Sequence, residues 1–251
     1  MTGQRERIAT AFARAPDYEG HARVQRSVAV RLAERIAALD LPQSPRVLEI
    51  GCGTGFLTRA LVAAGIGGDW TITDIAPEMV ERCRANLGDA PSRRFATMDG
   101  EFGTPEGGPF DLICSSLALQ WFTDAPAALA RMAEWLAPGG HCLVTTLGPR
   151  TFAEWREAHT SEGLVAGTPE FRPVEDFTRL APAALDIEAL VESHADARAF
   201  LRSLKAIGAG TSSPRHRPLP PGVLRKVMTR FEQSGSAVTY EVVTCHLHRA
   251  R

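Results

Sequence analysis

Residues Arg46 to Thr58 read RVLEIGCGTGFLT. Val47, Leu48 and Ile50 make a short apolar run of strand character that breaks at Gly51-Cys52-Gly53-Thr54-Gly55, after which Phe56, Leu57, Leu61 and Val62 recur at helical spacing. The stretch therefore reads as strand, glycine turn, helix. Three glycines at alternate positions remove the Cβ atoms that would keep a ligand off the backbone, and they tolerate positive φ where the chain reverses. The following helix aims its unpaired N–H groups at the same place. A dinucleotide fingerprint needs a third small residue three positions after the second; that position is Phe56, so the fingerprint fails.

Upstream of this unit, Ile8 and Phe12, then Val24, Val28, Leu32, Ile36 and Leu39, are spaced for two amphipathic helices separated by Ala15-Pro16-Asp17-Tyr18. They are expected to lie across the ligand edge of the sheet, with Leu41 to Pro45 as a proline-marked link into the first strand. Downstream, Trp70 to Ile75 is a second strand that ends in an acid, Asp74. In doubly wound sheets an acid about 20 residues beyond the glycine turn accepts hydrogen bonds from ribose hydroxyls. Asp74 occupies that place, and its alternative role is to cap the helix begun by Pro77-Glu78-Met79-Val80. Arg94 to Met98 reads as a third strand followed by Asp99-Gly100, where the carboxylate is available to an adenine amino group or is one more turn aspartate. Phe110 to Ser115 is a fourth strand, Ala125 to Leu136 a helix, Pro138-Gly139-Gly140 a tight turn and His141 to Leu147 a fifth strand. Strands alternating with helices over this length imply an α/β fold with a parallel sheet and right-handed crossovers.

Beyond Gly148 the alternation lapses. Thr151 to His159 looks helical, Glu170 to Leu180 is mixed, and Ile187 to Val191 is a candidate sixth strand. Asp196 to Ile207 and Pro221 to Gln233 read as helices around a Gly-Ser-Pro loop, and Ala237 to Leu247 is a β-rich closing strand.

Composition narrows the setting. With 28 basic against 29 acidic side chains in 251 residues there is no global field to attract nucleic acid or an anionic membrane. The five cysteines are scattered and never form a C-x-x-C pair, which argues against a disulfide framework or a zinc ribbon and for a reducing, cytoplasmic setting. The N-terminal stretch lacks a signal-peptide core and no apolar run approaches the roughly 18 residues of a membrane span, so a soluble protein with no membrane partner is expected. Charge is nevertheless uneven. Arg198, Arg202, Lys205, Arg215, Arg217, Arg225, Lys226 and Arg230 follow one another with no intervening acid, giving either a local positive patch or a solvated basic helix-loop-helix. Phe200 and Phe231 are the only aromatics near it, too few for the stacking platform of a single-strand nucleic-acid binder.

The motifs EIGCGTG, ITDIAPEMV, FDLICSS and LAPGG, from Arg46 to Leu147, resemble the class I S-adenosylmethionine-dependent methyltransferases. Further stretches are similar to the malonyl-acyl carrier protein O-methyltransferases of biotin synthesis, the BioC type. These are Phe12-Ala13-Arg14-Ala15 with Tyr18, His21-Ala22 and Gln25; Ser115 to Trp121; Thr145-Thr146-Leu147; Leu204 to Ala209; and Thr239-Tyr240. The resemblance implies one Rossmann-like methyltransferase domain, doubly wound and mostly parallel, with an antiparallel C-terminal strand and a helical cap. Its parts would be cap helices in 1–40, a cofactor-binding core in 46–147, substrate-side and cap elements in 151–234, and the closing strand in 237–249. The implied cofactor is S-adenosylmethionine, held by Glu49, Gly51, Gly53, Gly55, Asp74, Ile75, Met79, Asp99, Gly100 and Ser115. The implied reaction is methylation of the free carboxylate of a malonyl thioester, carried by acyl carrier protein on its phosphopantetheine arm or by coenzyme A.

Such a carboxylate is ionised near neutral pH and already nucleophilic, so the site must align it and exclude water rather than supply a base. Candidates for alignment are Tyr18 and His21, three apart and on one face if the segment is helical, with Gln120 and Trp121 after the fourth strand. Tyr18 and His21 serve equally well as helix anchors, Gln25 as a solvent-facing residue and Trp121 as core. Arg202 and Lys205, one helical turn apart, suit the phosphate or the malonyl carboxylate, and an acidic carrier protein suits the patch. His246 and His248 share a strand face but have no accompanying carboxylate or cysteine cluster, and no metal is expected. Two other readings of the same fold are a methyltransferase of a free small carboxylic acid or a natural-product hydroxyl, and a non-catalytic cofactor-binding partner subunit.

Overall fold

A computed structural model describes Thr10 and residues 18–208 and 217–251. Ile8, Phe12 to Asp17, Ala209 and Arg215 lie outside the described residues, and of Tyr18 only the backbone is described. The helices are α1 (Tyr18–His21), α2 (Arg23–Ala37), α3 (Phe56–Ala63), α4 (Pro77–Leu87), α5 (Ala125–Glu134), α6 (Ala153–Thr160), α7 (Val174–Thr178), α8 (Ala197–Ala206) and α9 (Pro221–Gln233). The strands are β1 (Arg46–Ile50), β2 (Asp69–Asp74), β3 (Arg93–Thr97), β4 (Phe110–Ser116), β5 (Leu136–Leu147), β6 (Ala184–Ser193) and β7 (Ala237–His248), and a 3-10 turn covers Leu119–Trp121.

The strands form one sheet in the order β3-β2-β1-β4-β5-β7-β6. Neighbours from β3 to β5 are parallel, with Glu49 opposite Ile72 on one side and Cys114 on the other. β7 runs against β5: the N–H of Gly139 donates to the carbonyl of Arg249, and nine residues later that of Gly148 donates to Glu241, so one strand ascends as the other descends. The order reverses between β1 and β4, and the carboxyl ends of the strands at such a reversal are where ligands bind in open α/β sheets.

By its internal contacts the chain divides into two compact units, one of Gln25–Leu147, Pro173–Ile187 and Val243–Arg251, the other of Met1–Val24, Gly148–Arg172 and Glu188–Val242. In the first, successive strand residues go to opposite faces: Leu48, Ile113 and Val144 join a core with Leu129 and Met132 of α5, whereas Val47, Leu112 and Leu143 join one with Leu32 of α2 and Leu61 of α3. Helix α5 forms where it does because Asp124 accepts the Ala127 N–H at its start and because Ala125, Ala128, Leu129 and Met132 recur at helical spacing and are buried. The second unit is built on an aromatic cluster in which Phe200 of α8 meets Phe152, Trp155 of α6 and Phe231 of α9, with ring centroids 5.5–5.6 Å apart.

One expected turn is differently arranged. Pro138-Gly139-Gly140 lies inside β5, where four residues of β5 (137–140) stand against the single Asp111 of β4 between the pairs Phe110–Leu136 and Leu112–His141. Gly139 takes φ 78°, and a Cβ on Gly140 would sit 2.8 Å from the Phe110 carbonyl, so the glycines make a bulge that the strand passes through. β6 also extends beyond Ile187 to Val191 in both directions.

Candidate functional site

The three turn glycines take φ 73°, 54° and 89°, the left-handed region in which a side chain is strained. At Gly51 space is also closed, since a Cβ would lie 2.5 Å from that of Ala118. The turn is tied to the end of β2. The Gly51 and Cys52 N–H groups both donate to the Thr73 carbonyl, at 2.8 and 2.9 Å, and the Gly53 N–H donates to Asp74 Oδ2 at 2.9 Å. Asp74 Oδ1 accepts the Ala76 N–H, also at 2.9 Å. Asp74 is thus not the N-cap of α4, which is Ala76; it clamps the glycine turn to the β2 corner. Burial raises its carboxyl above the ordinary value against these backbone hydrogen bonds, which lower it.

Glu49, at the end of β1, is 2% exposed and accepts the Thr58 hydroxyl of α3. Its burial raises its pKa to about 8; the Thr58 bond opposes this and the nearby Asp74 adds to it. Thr54, in the turn itself, is 4% exposed, and its hydroxyl has no hydrogen-bond partner among the described residues. Ile75 is half-buried beside Asp74, and Met79 is buried within the first turn of α4.

Asp99 Oδ1 accepts the N–H groups of Glu101 and Phe102, so this residue does form a turn. Gly100 is glycine for packing, because a Cβ there would meet Ile50 Cγ2 at 2.3 Å. The Ser115 hydroxyl, fully buried, donates to the Ile50 carbonyl at 2.7 Å and fastens β4 to β1. After β4, Leu117 turns at φ 51° while its N–H is held by Thr145. This leads into the 3-10 turn with Gln120 and Trp121. Gln120 Nε2 donates to the Leu117 carbonyl at 2.6 Å, whereas its buried Oε1 has no partner among the described residues. Glu101, only 3% exposed, receives the N–H groups of Thr123 and Asp124 and anchors the far end of the same segment. No local signal marks Glu101, or Thr145 as a hydrogen-bond acceptor, because each acts through a partner that only the folded chain brings near; the burial of the unpartnered Thr54 hydroxyl is likewise a property of the fold.

Tyr18, His21, Arg202 and Lys205 belong to the other unit. The backbone of α1, with Tyr18 and His21, lies beside α8, which exposes Arg202 and Lys205, so the elements carrying these four residues are neighbours. Gln25 is half-buried near the start of α2. On the paired strands β5 and β7, His141 joins the expected histidines: its Nδ1 is 2.9 Å from His246 Nε2 and its ring stacks on His248 at 4.6 Å. Among the described residues no group of three or more His, Cys, Asp or Glu side chains is arranged to hold a metal ion.

Residues 47–140 match the family described as methyltransferase domain. A malonyl-[acyl-carrier protein] O-methyltransferase of Magnetococcus marinus is 40% identical over 244 residues, covering 94% of this chain and 90% of that protein. The chain belongs to this family. The biotin biosynthesis bifunctional protein BioCD of Bordetella avium is 51% identical over 93% of the chain, which spans about half, 50%, of that longer protein. Two solved structures share the fold: the YcgJ protein of Bacillus subtilis (TM-score 0.59, 16% identity, 88% of this chain and 98% of that one) and the N-methyltransferase NodS of Bradyrhizobium japonicum in complex with S-adenosyl-L-homocysteine (TM-score 0.53, 17% identity, 99% of each). As a family member the chain is an S-adenosylmethionine-dependent methyltransferase, and its residues fit that cofactor. Glycine at three alternate positions of the turn lets a ligand approach the backbone, and the buried, unpaired Thr54 hydroxyl suits a ligand that brings polar groups.

Proposed function

We propose that this enzyme methylates the free carboxylate of a malonyl group held as a thioester on an acyl carrier protein. The observation that carries the reading is the relationship along nearly the whole chain to proteins named for that reaction. When bound, S-adenosylmethionine supplies an electrophilic methyl group, which forms its new bond to a carboxylate oxygen as the bond to sulfur breaks and leaves its electron pair on sulfur. Glu49, the backbone of Gly51, Gly53 and Gly55, Asp74, Ile75, Met79, Asp99, Gly100 and Ser115 form the cofactor side of this reading. Tyr18, His21, Gln120, Trp121, Arg202 and Lys205 are the candidates for its acceptor side. Because the acceptor is ionised near neutral pH, no side chain has to remove a proton, and the burden falls on alignment and on the exclusion of water.

Arg202 and Lys205 supply the charge that such an acceptor needs; both are exposed on α8 without an acidic partner among the described residues. All five cysteines are buried and unpaired, which supports a reducing, cytoplasmic setting, and no helix among the described residues is long and apolar enough to cross a membrane. Charge reversal of both, Arg202→Glu with Lys205→Glu, is expected to cut turnover of the malonyl-carrier protein by about tenfold or more, since a charge-assisted contact contributes about 1.5–3 kcal/mol. Undiminished turnover would remove these residues from the acceptor side.

A further inference from the structure

Between α8 and α9 runs a groove of about 580 Å³. Leu201, Leu224 and Met228 line it and are half-buried, whereas Arg198, Arg202 and Arg225 stand exposed around them. None of these three arginines has an acidic partner among the described residues. Arg230, which belongs to the same basic run in sequence, is by contrast bound to Glu162 at 2.8 Å and is withdrawn from the free charge. The outcome is an apolar trough with a purely cationic rim. A small polar anion would leave the apolar lining without a partner, and a nucleic-acid strand would find no aromatic ring among the lining residues.

We propose that this groove docks an acidic amphipathic helix of the carrier protein, which places an apolar side chain between Leu201, Leu224 and Met228 and carboxylates against Arg198 and Arg225. The inference rests on the carrier-protein reading above and adds the place and mode of contact. An apolar centre ringed by charge is the arrangement in which burial supplies affinity while the rim sets orientation and encounter rate.

The test uses Arg198 and Arg225, which have no part in holding the cofactor or acyl group. Arg198→Glu with Arg225→Glu, and separately Leu224→Ser, are assayed with malonyl-carrier protein and with malonyl-pantetheine, which presents the same reacting group without protein or phosphate. The docking surface predicts that kcat/KM for the carrier substrate falls about tenfold through KM in the charge-reversed variant, with malonyl-pantetheine within about twofold of wild type. Equal losses on both substrates, or no loss on the carrier, would overturn it. Should the wild-type enzyme methylate neither substrate, the functional reading has failed. Docking is then judged by direct binding of unacylated holo-carrier protein: weaker binding to the charge-reversed variant upholds the groove, and equal binding overturns it.

Discussion

Glu49 shows most sharply how one side chain is set by its surroundings. It stands at the end of β1 with almost no water contact, and its pKa moves from an ordinary 4.5 to about 8 because burial penalises the carboxylate. Since the folded protein holds this proton more tightly than the unfolded chain does, the associated stability is complete below pH 4.5 and is lost as pH rises through about 8. Glu49→Gln keeps an acceptor for Thr58 and cannot ionise. Thermal melts at pH 5 and pH 8.5 should therefore show wild type losing more of its midpoint on alkalinisation than the variant, and parallel losses would contradict the assignment. Gly53 makes a second residue-scale prediction. With φ 54° and its N–H held by Asp74, it is fixed in a conformation in which a β-branched side chain is strained. Gly53→Val should abolish S-adenosylmethionine binding by calorimetry while far-ultraviolet circular dichroism still reports a folded sheet. Undiminished affinity would take the turn out of the site.

Among the elements, β5 and β7 bring together three histidines separated by about a hundred residues of sequence. Burial, and then its neighbours His246 and His248, lower the His141 pKa from 6.5 to about 4, and burial followed by His248 lowers that of His246. A histidine with a depressed folded pKa stabilises fully above pH 6.5 and loses that contribution as pH falls towards 4. His246→Gln should thus flatten the acid limb of stability between pH 6.5 and pH 4.5 and leave the midpoint at pH 7.5 nearly unchanged; an unaltered acid limb would dismiss the cluster as a pH-sensitive contact. The sequence showed only two of the three histidines as a pair, because His246 and His248 obey the two-residue period of one strand whereas His141 arrives through the sheet. The same contrast holds elsewhere. β1, α3, β2 and α5 were legible because glycine spacing, apolar periodicity and caps are local signals. The bulge at Gly139-Gly140 read as a turn, since glycine marks both and only the register against Phe110 and Leu112 separates them.

For the whole molecule, the glycine turn and its tie to Asp74 were legible in the sequence and the groove between α8 and α9 was not, for a physical reason. Gly53 and Asp74 lie 21 residues apart and meet through one strand-helix-strand unit, so their spacing encodes their geometry. The sequence names Gln120, but the burial of its unpartnered oxygen and that of Thr54, and the anchoring of the loop after the 3-10 turn by Glu101, depend on tertiary neighbours that no local pattern announces. The basic run was visible as charge, but the pairing of Arg230 with Glu162 and the groove between α8 and α9 required the folded second unit. What unites these features is a single claim, that methyl transfer ends on a malonyl carboxylate attached to a carrier protein. Incubation with methyl-labelled S-adenosylmethionine and malonyl-carrier protein, beside malonyl-coenzyme A and free malonate, tests it most directly. Label is predicted in the acyl group of the carrier-bound substrate, as an ester that alkali releases as methanol; no label there, under conditions in which the enzyme binds its cofactor, would contradict the claim.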